Sequence, residues 1–112
     1  MTTPAVDALY ALREQTQRTI SELTRDFQAV LRASTDTNAD DEHDPEGSTI
    51  AFERAQLTAL LDSARRTVAE IDSAIERFEA GSYGRCATCG TEISRERLHA
   101  RPAARLCLAC AS

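Results

Sequence analysis

Four cysteines are the residues of this chain whose type and spacing most clearly suit chemistry: Cys86, Cys89, Cys107 and Cys110. They form two Cys-x2-Cys pairs with 17 residues between them. A two-residue gap lets both thiolates of a pair reach one metal at about 2.3 Å, and an intervening loop of that length brings two such knuckles together. Four thiolates close a tetrahedral shell, so one structural Zn²⁺ is expected and no catalytic metal. Two disulfides are the alternative. They are disfavoured because an exported disulfide scaffold normally follows a signal peptide, and none is visible. A zinc site that also responds to oxidation is a variant of the metal reading. Gly90, directly after the second ligand, suits a tight turn needing positive φ. His99 is not needed as a ligand, and neither it nor His43 is assigned any chemistry.

The elements that must position these ligands are helical. Thr3-Pro4 is a helix start, with Thr as N-cap and Pro in the first turn. Val6, Leu9, Arg13, Thr16, Ile20, Leu23, Phe27 and Val30 then recur at alternating threes and fours, a heptad seam with two polar interruptions. A helix over 4–34 would be about 46 Å long. The second seam runs Ile50, Arg54, Leu57, Leu61, Ala64, Val68, Ile71, Ile75 and Phe78, with Gly81 as the C′ residue. Two matched helices joined by a short link predict a long antiparallel coiled-coil hairpin, opposing Leu9 to Ile75, Val6 to Phe78, Leu23 to Leu61 and Phe27 to Leu57. The expected class is therefore dominated by α-helix: a hairpin over 1–80, followed by a small four-cysteine zinc finger over 81–112. A short helix is expected over Ser94–Ala100, ended by Pro102. A monomer is expected, although a partner could add helices to the bundle.

The link, residues 34–47, holds six of the 18 acidic residues and no Arg. A solvated loop is the bland reading of such a run. Asp44-Pro45 also suits a helix cap. An acidic tip at the end of a long hairpin would, however, suit cations or basic side chains inside a deep partner cavity. The other end carries Arg85, Arg95, Arg97, Arg101 and Arg105, so charge is polarised along the chain. Net charge is −5 with pI about 5.0, which argues against general nucleic-acid binding. No apolar run approaches the ~20 residues a membrane span needs. A soluble, cytoplasmic protein with no membrane partner is expected.

The run Tyr83-Gly84-x-Cys86-x2-Cys89-Gly90-x2-Ile93-x3-Arg97-Leu98-x-Ala100-x-Pro102-x-Ala104-x2-Cys107-x2-Cys110 resembles the zinc-finger signature of the DksA/TraR family of bacterial transcription regulators. The preceding paired helices agree with the family architecture. The resemblance implies a regulator that is not itself an enzyme and makes no sequence-specific DNA contact. It would bind RNA polymerase and insert its coiled coil into the secondary channel, bringing the acidic tip near the active centre to modulate initiation. The family's Asp-x-x-Asp-x-Ala tip motif falls on Asp41-Glu42-His43-Asp44-Pro45-Glu46, so Asp41, Glu42, Asp44 and Glu46 are the candidate tip residues. Arg97 and Arg101 are candidate polymerase or nucleotide contacts. At the family's other nucleotide-facing positions stand Glu70 and Ala111, which implies little synergy with guanosine tetraphosphate. A transcript-cleavage stimulator acting through the same channel, its tip carboxylates helping to hold a second Mg²⁺, is the alternative. A coiled-coil zinc adaptor with no polymerase role is a third reading.

Overall fold

The computed structural model describes residues 3–36 and 45–111. Two long helices, α1 (Thr3–Asp36) and α2 (Pro45–Ala80), are followed by a short helix α3 (Arg95–Ala100) and a single turn, α4 (Leu108–Ala111). Among the described residues there is no strand, only an isolated antiparallel bridge between Arg85 and Glu92. The chain is thus all-α, as its periodicity predicts.

Both long helices extend further than the polar segment between them suggested. Ser34 to Asp36 complete α1, and Pro45 to Gly47 already belong to α2. Of the expected span 34–47, residues 34–36 and 45–47 are therefore helical, and residues 37–44 lie outside the described residues. The extension has local causes. The Thr35 hydroxyl donates to the Leu31 carbonyl at 3.0 Å, and Pro45 supplies a fixed helical φ in a first turn where its missing N–H costs nothing. Asp41, Glu42, His43 and Asp44 lie outside the described residues.

Compactness divides the chain otherwise than at Ala80. One unit comprises residues 1–15 with 67–112, and the other residues 16–66. In the first unit Leu9 of α1 is fully buried among Ile71, Ala74 and Ile75 of α2, with Tyr83 closing the cluster. Ala5, Leu12, Phe78, Leu98 and Ala103 pack around it. The expected Leu9 and Ile75 pair is thus in one cluster. Arg13, a polar residue in an apolar seam, is accommodated because its Nε donates to Asp72 Oδ1 at 2.5 Å across the helix pair.

The second unit has a thinner core. Leu61 is buried, while Ile20, Leu23, Phe27 and Val30 of α1 and Ile50, Leu57 and Ala64 of α2 are half-buried. A single facing seam can shield only one stripe of each helix, which explains the partial burial. Across the two seams Arg54 alone is exposed.

Candidate metal centre

The finger begins where α2 is stopped. Gly81 at φ 82° lets the Ser82 N–H reach the Arg77 carbonyl at 2.8 Å and the Gly81 N–H reach Phe78 at 3.2 Å. These are the two bonds of a Schellman cap, so Gly81 is the predicted C′ residue. The chain then turns Tyr83 inward. Its ring meets Phe78 edge-on at 5.8 Å, and its hydroxyl donates to the Pro102 carbonyl at 2.8 Å. One side chain thereby ties α2 to the far side of the finger. Burial pushes the Tyr83 phenol pKa up, so the hydroxyl stays protonated as a donor.

The first knuckle is a small antiparallel ladder. The Ile93 N–H donates to Gly84 at 2.7 Å and the Cys86 N–H to Thr91 at 2.8 Å, flanking the Arg85 and Glu92 bridge. Between them Gly90 donates to the Cys86 carbonyl at 2.9 Å with φ 77°. A Cβ there would meet nothing within 4 Å, so glycine is required for its dihedral and not for space. Ser94 then caps α3, its hydroxyl accepting from the Arg97 N–H at 3.2 Å. The second knuckle opens α4, where the Cys110 and Ala111 N–H groups both turn onto the Cys107 carbonyl. An Ala87 N–H bond to Arg105 at 2.8 Å links the two knuckles.

All four Sγ atoms lie within 4.8 Å of one another, and no cysteine is in a disulfide. Zinc–sulfur bonds of about 2.3 Å set tetrahedral S···S edges of about 3.8 Å. Cys89 and Cys107 stand at 3.7 Å. The donor set and its spacing fit one structural zinc.

The thiols are biased unequally before any metal binds. Backbone N–H groups of Cys107, Cys89 and Thr88 face Cys86 and bring its pKa down to about 5. The Cys110 N–H lowers Cys107 in the same way. Cys110, hydrogen-bonded to Cys107, Cys86 and Cys89, is pushed up to about 12 and keeps its proton. Zinc would deprotonate it outright.

Beside the finger a cleft of about 750 Å³ is lined by Glu70, Arg77, Arg97, Arg101, Arg105 and Ala111, among others. Burial, and next the neighbouring Arg105, lower the Arg77 pKa, as expected where cations gather. The two candidate contacts differ in kind. Arg97 Nε donates to the Leu106 carbonyl at 2.8 Å, so Arg97 braces the second knuckle, whereas Arg101 is exposed. Of the candidate tip residues, Glu46 falls in the first turn of α2, and Asp41, Glu42 and Asp44 lie outside the described residues. The sequence reading did not single out Arg77 or Thr91. Arg77 has only the sequence signal of a cation in the last turn of α2, and nothing in the sequence marks Thr91.

Residues 81–112 match the prokaryotic dksA/traR C4-type zinc finger. A protein of Aquifex aeolicus strain VF5 is 51% identical over 45 residues, 40% of this chain and 31% of its own length. The RNA polymerase-binding transcription factor DksA of Escherichia coli K12 is 39% identical over 49 residues, 44% of this chain and 32% of that protein. The matched segment thus spans about a third of these curated relatives. The structure of transcription factor DksA2 from Pseudomonas aeruginosa superposes with a TM-score of 0.81 at 25% identity, covering 96% of this chain and 77% of that one.

Proposed function

We propose that this chain, whose residues 81–112 match the dksA/traR C4-type zinc finger, is a transcription regulator that binds bacterial RNA polymerase and is not itself an enzyme. In this reading α1 and α2 enter the polymerase secondary channel and carry Asp41, Glu42, Asp44 and Glu46 to the active centre to modulate initiation. The observation that carries the proposal is the match of nearly the whole chain to the structure of transcription factor DksA2, together with the zinc-finger match over residues 81–112. The metal would act only structurally: it fixes the finger, and the finger holds the ends of α1 and α2 through Tyr83, Phe78 and the Leu9 cluster. The tip acids offer carboxylates that basic side chains or catalytic Mg²⁺ would attract, and they contribute little buried surface. The lining of the cleft supports a weak response to guanosine tetraphosphate, since Glu70 adds an anion and Ala111 no cation beside Arg101.

The test is Asp41→Asn with Asp44→Asn in purified transcription. The double variant should bind polymerase within about twofold of the parent and lose most of its effect on promoter-complex lifetime. Asn retains a capping side chain at position 44, so helix loss would not confound the result. Adding guanosine tetraphosphate to the parent should change its effect little. A double variant that regulates like the parent would reduce the acidic segment to a solubilising loop.

A further inference from the structure

The four ligands are not equally protected. Cys86 is buried, Cys107 and Cys110 are half-buried, and Cys89 is exposed. Backbone N–H groups serve Cys86 and Cys107. At Cys89 a side chain takes that place: Thr91 Oγ1 lies 2.9 Å from Cys89 Sγ. A zinc-bound thiolate has no proton to give, so the hydroxyl is the donor in that pair. The placement is fixed by the backbone, because the Thr91 carbonyl simultaneously accepts the Cys86 N–H and Gly90 turns the chain between the two cysteines. Thr91 is also β-branched and therefore stiff at χ1.

We propose that Thr91 is a positioning residue of the metal centre, whose hydroxyl donates to the Cys89 thiolate and suppresses the reactivity of the one ligand open to solvent. A charge-assisted hydrogen bond withdraws electron density from sulfur and must weaken as that sulfur forms a bond to an electrophile. Removing it should therefore speed attack at Cys89 specifically. This inference is independent of any polymerase binding.

The experiment treats zinc-loaded, full-length parent, Thr91→Val and Thr91→Ser with N-ethylmaleimide. The sulfur adds across the maleimide double bond, a solvent proton completes the adjacent carbon, and the metal loses that ligand. Zinc release is followed with a chromogenic chelator, and the first adduct is located by mass spectrometry. Valine keeps the shape and the backbone bond, so Thr91→Val should release zinc roughly three- to tenfold faster, with its first adduct at Cys89. Thr91→Ser should stay within about twofold of the parent. Parental rates in Thr91→Val, or acceleration with the first adduct on another cysteine, would overturn the proposal. So would equal acceleration in Thr91→Ser, which would make the methyl group, and not the hydroxyl, the cause.

Discussion

The unit around the metal centre and the unit spanning residues 16–66 use the same two helices and are stabilised differently. Among the described residues the first collects seven of the eight buried apolar side chains, Leu9, Ile71, Ala74, Ile75, Tyr83, Cys86 and Ile93, and leaves Leu61 to the second. Large exposed apolar side chains occur in both, Phe52 and Leu60 in the second and Tyr10 and Leu108 in the first, so the difference lies in the buried residues. The order of the second unit must come largely from helix continuity and one half-shielded seam, aided by helix formers such as Ala, Leu, Gln and Arg. A heptad pattern alone therefore does not set burial depth. Similar seam letters yield a closed core only where a third element, here the finger, covers the open side of the pair.

Loss of the metal should separate the two units most. Structural zinc contributes on the order of 10 kcal/mol to modules of this size, more than their few apolar residues supply. Chelation, or Cys107→Ser, should unfold residues 81–111 and open the Leu9 cluster while leaving most of the α-helical circular dichroism. Complete loss of helix would show that the second unit has no stability of its own. Acid should act in the same direction. The metal-free finger favours the Cys86 thiolate, with a pKa of about 5 against an ordinary 9.0, so that contribution is complete above the ordinary range and is lost as pH falls through about 5. Acidification should also release zinc, because protons compete with the metal for the thiolates, read by a zinc indicator after buffer exchange.

Core substitutions in the two halves of α2 should differ in cost. Ile71→Ala removes a fully buried side chain from the first unit and should cost about 2–5 kcal/mol. Leu57→Ala sits half-buried in the second unit, and better helix propensity partly offsets its loss, so about 1 kcal/mol is expected. Denaturant titration of the zinc-loaded variants measures both. Equal costs would mean that the two units are one cooperative core.

Much of this arrangement is legible in the sequence because its signals are periodic or ligand-specific. Every seam position except Arg54 is shielded, and Gly81 and Gly90 adopt the positive φ their places require. The four cysteines converge because their spacing allows hardly any other use. What escaped reading depends on partners far apart in the chain. The bond from Arg97 to Leu106 makes a brace of a residue that composition counts only as a surface cation. The Thr91 hydroxyl is functional only because a two-bond ladder aims it at Cys89. The single turn of α4 is too short for any period to reveal.

The smallest expected effect concerns Arg13, which a seam reading marks as a defect. Its partner Asp72 lies 59 residues away, next to Ile71 in the deepest part of the core. Both side chains keep substantial exposure, 37% and 44%, so water screens the pair and the interaction should be worth only about 0.5 kcal/mol. Removing either partner alone leaves a charge that solvent can still reach, so each single variant should cost little. A double-mutant cycle with Arg13→Gln and Asp72→Asn in denaturant isolates the coupling from the packing of the Arg stem. A coupling energy near 0.5 kcal/mol that fades in high salt fits an ion pair whose main effect is to hold helix register. A coupling above about 2 kcal/mol, insensitive to salt, would instead place the pair among the interactions that hold the first unit together, and the contrast between the units would then no longer rest on apolar burial and zinc alone.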